Sequence, residues 1–206
     1  MKPNEYFDLI KSTSFIKSGD DVDWQVSVFD DEKTVRLIFE ESTSKRDWTN
    51  NFNFPVKIYK KQESCLRVAR GWGNAYKSCN DTIMDIFTKQ VEAHPDYSVE
   101  IIGWSYGGAI AVIAAEDFYF RTGKKSNIIT FGAPKPLWSK KCWKYVRSCV
   151  NNVHQYAHVN DCVPLCVPLP GYRMLHKDKI GSGFSIFKLF KPNIFHLCYG
   201  DSTLYV

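Results

Sequence analysis

The stretch that decides the fold is Ser98-Val99-Glu100-Ile101-Ile102-Gly103-Trp104-Ser105-Tyr106-Gly107-Gly108-Ala109-Ile110-Ala111-Val112-Ile113-Ala114-Ala115. Ser98 to Ile102 is an apolar run of strand length. Gly107 to Arg121 carries seven consecutive apolar residues, Ala109 to Ala115, too uniformly apolar for a surface helix and therefore expected deep against a sheet. Between the two, Gly103, Trp104, Ser105, Tyr106 and Gly107 read G-x-S-x-G, the pattern of a strand turning sharply into a helix with a strained serine at the tip. By chance roughly one chain of this length in fifteen contains that pattern, so its weight comes from the strand directly before it and the apolar helix directly after. A side chain at Gly103 or Gly107 would collide across so tight a turn.

Working outward, strand-like and helix-like stretches alternate, which predicts an α/β fold with a mostly parallel sheet covered by helices. Trp24–Phe29 and Val35–Phe39, joined through Asp30, Asp31 and Glu32, read as an N-terminal antiparallel hairpin. Glu40 to Asn51 is a polar loop. The spacing of Ala75, Tyr76, Ile83, Ile86, Phe87 and Val91 predicts one amphipathic helix over Gly73–Ala93, ended by His94 and Pro95. Asn127–Phe131 follows as a strand, Trp138–Val150 as a helix and Val153–Val159 as a strand. The last forty residues read as irregular.

With 206 residues the chain fits one domain, 1–206, large enough for a rigid core without disulfide or metal staples. Hydrophobic residues at 44 %, charged at 24 % and aromatic at 15 % exclude disordered, collagenous and membrane-spanning classes. The net charge of +5 is too small to argue for nucleic acid, although Lys177, Lys179, Lys188 and Lys191 gather late and could form a basic face toward anionic lipid. Seven cysteines are an odd number, and no apolar leader follows Met1. The expectation is reduced thiols in a cytoplasmic or otherwise non-secreted protein.

A serine hydroxyl needs a base within hydrogen-bond reach and an acid to orient that base. In sheets of this kind ligands sit at the carboxyl ends of the strands, which selects Asp161, directly after Val153–Val159, over Asp178 and Asp201, read as solvated charges. His94 sits at a helix end, and His154 and His158 lie upstream of Asp161 and read as structural. His176 and His196 remain, 15 and 35 residues beyond Asp161. The irregular loop before His196 favours it, with His176 as the alternative. The N–H of Tyr106, at the positive end of the helix, is a natural donor to an oxyanion.

At this point the chain resembles the class 3, or fungal-type, lipases of the α/β-hydrolase superfamily. Phe39 to Trp48 with Asn51 looks like F-R-G-T-x-S-x-x-D-W, and Val68 to Tyr76 looks like the V-H-x-G-F segment. Ile101 to Ala109 looks like I-x-G-H-S-L-G-G-A, and Ile129 to Pro134 looks like T-F-G-x-P. Val159 to Pro168 resembles V-N-x-D-x-V-P-x-x-P, and His196 to Tyr199 resembles H-x-x-Y. The resemblance implies a minimal α/β-hydrolase fold with helices on both faces, and a triad on Ser105, Asp161 and His196. It also implies a second oxyanion donor at Ser42, where the family has Thr. Glu41 departs from the family's Gly. A carboxylate facing the hole would oppose the developing charge, so either Glu40 and Glu41 face solvent, which is the expectation, or the loop is built differently. Asp47 is implied to support that loop. Trp104 stands where the family has His, which leaves the chemistry intact.

The expected activity is hydrolysis of carboxylic esters of lipids through an acyl-enzyme, with no cofactor and no metal. A phospholipase or thioesterase on the same machinery is the first alternative, and a catalytically silent binding domain the second. His154, His158, Cys162 and Cys166 recur every four residues, but Pro164 and Pro168 interrupt any helix that would align them for zinc. Glu40 and Glu41 fail as a glycosidase pair because adjacent strand residues face opposite ways. Gly181 to Phe195 carries apolar residues between lysines. It reads as core packing beside His196, with transient contact to a membrane surface through 181–195 as the sharper alternative. Only Thr49 to Arg67 is left for a lid, which predicts activity on dispersed short-chain esters without strong interfacial activation.

Overall fold

The computed structural model describes residues 1–18, 22–40, 56–61, 64–165, 170–185 and 192–205. The chain opens with helix α1 (Pro3–Ser12) and strands β1 (Ile16–Ser18), β2 (Val22–Phe29) and β3 (Thr34–Phe39). A hairpin of β4 (Val56–Lys61) and β5 (Ser64–Ala69) precedes helices α2 (Arg70–Lys77) and α3 (Asn80–Ala93). Strand β6 (Ser98–Trp104), helix α4 (Tyr106–Thr122) and strand β7 (Ser126–Phe131) follow. Then come β8 (Leu137–Trp138), α5 (Lys140–Ser148), β9 (Val150–His158), β10 (Tyr172–Arg173), β11 (Asp178–Ile180) and the single turn α6 (Pro192–Phe195).

The main sheet has the order β1-β2-β3-β6-β7-β9-β11. Its first three strands pair antiparallel, through Trp24↔Phe39 at one end, and the rest pair parallel. Period-two alternation divides its side chains. Leu37, Phe39, Ile101 and Ile128 join the core with α2, α3 and α4, whereas Ile38, Ile102, Trp104, Ile129 and Phe131 pack with Phe7 and Ile10 of α1 on the other face. Both faces are therefore covered, which is why β6 reads as a continuous apolar run. This is the α/β-hydrolase architecture, with helices on each side of a mostly parallel sheet.

Buried charge occurs where it is paired. The Arg36 guanidinium, 1 % exposed, donates from Nε to Glu100 Oε2 at 2.7 Å and from Nη2 to Glu32 Oε2 at 2.6 Å, and lies over the Phe29 ring at 4.3 Å. Tyr6 OH donates to Glu100 Oε1 at 2.8 Å, which fastens α1 to the sheet. In α4, Asp117 accepts from Tyr76 OH at 2.9 Å and from Arg121 Nε at 3.2 Å.

The structure corrects several sequence expectations. The single helix over Gly73–Ala93 is two helices, because the N–H of Ser78 turns to the carbonyls of Asn74 and Ala75 and its hydroxyl to Ala75 O at 2.7 Å, and Cys79 leaves helical backbone. The helix expected over Trp138–Val150 is shorter at both ends. Trp138 pairs with Tyr172, Ser139 accepts from Cys142 N–H as a cap, and Val150 already begins β9. The last forty residues are not wholly irregular, since β11 extends the main sheet parallel to β9. A second sheet, β10-β8-β5-β4, joins the six-residue hairpin β4–β5 to two-residue strands β8 and β10, which are too short to carry a period. Of the stretch that bears on a lid, the described part is β4 and the start of β5.

Candidate active site

The serine turn forms where the sequence predicts it. Ser105 lies between β6 and α4 with φ 54° and ψ −121°, a backbone conformation that costs a non-glycine residue about 1–3 kcal/mol and survives only where the surroundings impose it. They do so through close packing. A Cβ on Gly103 would lie 2.5 Å from the Gly107 carbonyl carbon and 2.7 Å from Gly108 N. One on Gly107 would meet not the turn itself but the end of β3, striking Glu40 O and lying 2.7 Å from Phe39 O. The elbow is thus wedged against the backbone of Phe39 and Glu40 at the end of β3. Ser105 N–H donates to Phe131 O at 2.8 Å, carrying the β6–β7 ladder one step past the end of β6 onto the last residue of β7, and Ser105 is 9 % exposed.

That ladder step leads to the second half of the site. Gly132, with φ +55°, has its α-carbon so close to two side chains that a Cβ would lie 2.7 Å from His196 Cε1, 2.8 Å from His196 Nδ1 and 2.8 Å from Asp161 Oδ2. Asp161 and His196 themselves join at 2.8 Å through Oδ2 and Nδ1. Asp161 is 2 % exposed, and its oxygens also accept from Val163 N–H at 2.9 Å and Tyr199 OH at 2.7 Å. With Nδ1–H donated to the carboxylate, the neutral ring keeps its lone pair on Nε2, which is buried with no hydrogen-bond partner among the described residues. The Trp104 ring, on the residue next to Ser105, lies 5.6 Å from the His196 ring, so the serine's chain neighbour and the histidine share one wall.

The other candidates sort by what they touch. His176 Nε2 lies 3.0 Å from Asp178 Oδ1, and His154 Nδ1 lies 3.4 Å from Asp178 Oδ2, away from the Asp161 carboxylate. Asp178 corrects the expectation of a free solvated charge, because it sits in β11 and also accepts from Gln155 N–H. His158 accepts from Asn160 N–H and stacks on Phe195 at 5.0 Å. Tyr106 N–H is the first amide of α4, at the positive end of its dipole. Ser42, Glu41, Asp47 and Trp48 lie outside the described residues, as do Cys166 and residues 186–191 of the 181–195 segment. Around the site Leu165, Phe184, Ile194 and Leu197 are exposed.

The roles of two site residues escaped sequence reasoning, although both stand in the family-like blocks. Tyr199 donates to Asp161 Oδ2 while its oxygen accepts from His158 N–H at 3.0 Å. Burial, then the Asp161 charge, push its phenol well above its ordinary pKa, so it remains a neutral donor. Its signal was the H-x-x-Y block that it closes, three residues after His196. Gly132 was visible as the glycine of the T-F-G-x-P-like block that follows an apolar strand.

A model of the class 3 lipases matches residues 37–170. The chain belongs to the class 3 lipase family. It is 29 % identical over 168 residues to a lipase of Rhizopus niveus, covering 80 % of this chain and 42 % of that protein. It is 26 % identical over 139 residues to the secreted mono- and diacylglycerol lipase A of Penicillium cyclopium, covering 68 % and 45 %. The chain thus spans less than half the length of these relatives. Among solved structures, a triacylglycerol lipase whose catalytic centre is described as a serine protease triad superposes with TM-score 0.71 at 26 % identity, covering 85 % of this chain and 69 % of that one.

These relatives overturn the expectation of a cytoplasmic, non-secreted protein, since this class 3 lipase sequence aligns with a secreted enzyme. Three of the thiols behind that expectation carry no compartment signal. Cys79, Cys142 and Cys149 are buried, and burial, reinforced by Glu116, pushes the Cys149 thiol up to about 11. Such sulfurs pack as small apolar groups and stay inert in either redox setting. No helix among the described residues is long and apolar enough to cross a membrane.

Proposed function

We propose that the chain, as one α/β-hydrolase domain over 1–206, hydrolyses carboxylic esters of lipids through an acyl-enzyme. The observation that carries this reading is a strained serine at a helix N-terminus whose chain neighbour Trp104 lies 5.6 Å, ring to ring, from a histidine whose Nδ1 is held by a buried aspartate and whose Nε2 has no hydrogen-bond partner among the described residues. In the proposed reaction His196 Nε2 takes the Ser105 proton as Oγ attacks the ester carbonyl. Asp161 keeps the ring oriented and stabilises the imidazolium, and Tyr199 and Val163 in turn hold the carboxylate.

The tetrahedral oxyanion is received by the N–H of Tyr106 and by Ser42. Each such donor is worth about 3 kcal/mol of barrier. Collapse expels the alcohol, which takes its proton from His196, and water repeats the sequence to release the acid. The family membership and the relatives' names support lipid esters as substrates.

Treatment with a fluorophosphonate, followed by mass spectrometry of the digest, tests the reading. An adduct on Ser105, absent after Ser105→Ala, is expected. An unlabelled Ser105 in folded protein would leave a catalytically silent domain.

A further inference from the structure

A cavity of about 500 Å³, which shares its Lys177 wall with a smaller cavity reaching Asp161, is strongly basic. Lys135, Lys140, Arg173 and Lys177 line it together with Trp143 and Tyr172. None of these four cations has an ion-pair partner among the described residues, whereas Arg36 and Arg121 are each matched by two carboxylates. Lys177 also lines the smaller cavity of about 250 Å³ that reaches Asp161, next to Leu165, Lys179 and Phe184. Lys135 follows Gly132, the residue against the Asp161–His196 pair, by three positions. Partial burial and the nearby charges of Lys179 and Lys135 lower the Lys177 pKa, the sign expected of crowded cations awaiting a counter-charge.

Fixed like charges around a concave site attract a compact anion, and a phosphate group is one that several ammonium and guanidinium groups can share. Its surroundings favour an anion carried by a lipid. Phe184, 65 % exposed, and Leu165, 40 % exposed, stand at the mouth of the adjoining cavity, while Ile194 and Leu197 flank the His196 loop. A free phosphate would gain nothing from such apolar groups, whereas a lipid headgroup brings acyl chains with it.

We propose that the cavity formed by Lys135, Lys140, Arg173 and Lys177 is a binding site for the phosphate headgroup of an anionic lipid, seating the protein on an anionic membrane surface beside its candidate active site. Binding requires no turnover, so the site stands or falls independently of ester hydrolysis.

Sedimentation of the full chain with vesicles tests it. Vesicles of phosphatidylcholine are compared with vesicles in which one fifth of the lipid is phosphatidic acid, with inorganic phosphate as a separate soluble arm. Binding to the phosphatidic acid vesicles at least tenfold tighter than to phosphatidylcholine is expected. A Lys140→Gln/Arg173→Gln protein should bind them about thirtyfold more weakly, and Lys177→Arg should retain binding. Equal binding of parent and double variant would overturn the proposal. So would equal binding to both vesicles, or saturation by inorganic phosphate with no preference for the anionic vesicles, which would assign the cavity to a free anion. All three positions are solvent-exposed, and matched melting temperatures confirm that a loss of binding is not a loss of fold.

Discussion

Replacing Tyr199 by Phe deletes one oxygen from the interior and leaves the ring in place, so its consequences can be followed atom by atom. Tyr199 is fully buried, and its hydroxyl serves two partners, donating to Asp161 Oδ2 at 2.7 Å and accepting from His158 N–H at 3.0 Å. Losing a hydrogen bond to a carboxylate costs about 1.5–3 kcal/mol, and leaving a buried N–H unsatisfied costs a further ~1 kcal/mol. For a chain of 206 residues, about 3 kcal/mol in total lowers the melting temperature by roughly 6–12 °C. Asp161 keeps Val163 N–H and His196 Nδ1–H, so the histidine stays oriented but less firmly. The rate of p-nitrophenyl ester hydrolysis should fall about tenfold in kcat with little change in KM. Thermal melts read the first effect and steady-state kinetics the second. A Tyr199→Phe protein melting within 1 °C of the parent at an unchanged kcat would refute the role assigned to the Tyr199–Asp161 hydrogen bond.

Other perturbations give sharper yes-or-no outcomes. His196→Ala should lose ester hydrolysis by at least a thousandfold while His176→Ala retains it, because the His196 ring bonds to Asp161 and the His176 ring to Asp178; kinetics with the reverse order would reassign the base. Gly107→Ala drives a methyl group into the Phe39–Glu40 backbone, so it should either fail to accumulate as soluble protein or melt more than 10 °C lower by calorimetry. Arg36→Ala leaves Glu100 with a buried charge facing Tyr6 and should cost about 3–5 kcal/mol in urea unfolding. Tyr76 and Tyr199 ionise in the folded state well above their ordinary 10.0 because burial and a nearby aspartate oppose the phenolate. Their contribution is therefore complete below pH 10 and is lost as the pH rises beyond it, once the unfolded chain releases those protons. Denaturant midpoints should stay flat toward pH 9 and decline above pH 10.

What could be read from the residues follows from how local each signal is. The elbow was legible because strand, glycines, serine and helix are contiguous, and the hairpin because Trp24–Phe29 and Val35–Phe39 alternate about an acidic turn. Asp161 and His196 were chosen by chain order and loop position, and the structure brings their side chains to 2.8 Å. The break at Ser78–Cys79 was hidden because side-chain-to-backbone hydrogen bonds end a helix without disturbing its apolar spacing. Strands β8 and β10 exist only through partners distant in sequence. Tyr199 and Gly132 stand in family-like blocks but matter through contacts across 38 and 64 residues, Tyr199 to Asp161 and Gly132 to His196, and a block of a few residues does not name such distant partners. Compartment was misread because a cysteine count does not say which thiols are buried and inert, as Cys79, Cys142 and Cys149 are.

The single hydrogen bond from Ser105 N–H to Phe131 O has a consequence for how this chain can vary. It moors the serine turn to the end of β7, and the next residue, Gly132, is the seat against which Asp161 and His196 rest. Two halves of the site, drawn from segments far apart in the chain, are therefore registered to each other by one rung. Insertions in the surface connections can change length without disturbing that rung, whereas one added residue between Gly103 and Gly108, or between Phe131 and Gly132, would shift one half against the other. Length variation among working descendants of this sequence should accordingly be absent from those two short windows, however freely the rest of the outline drifts.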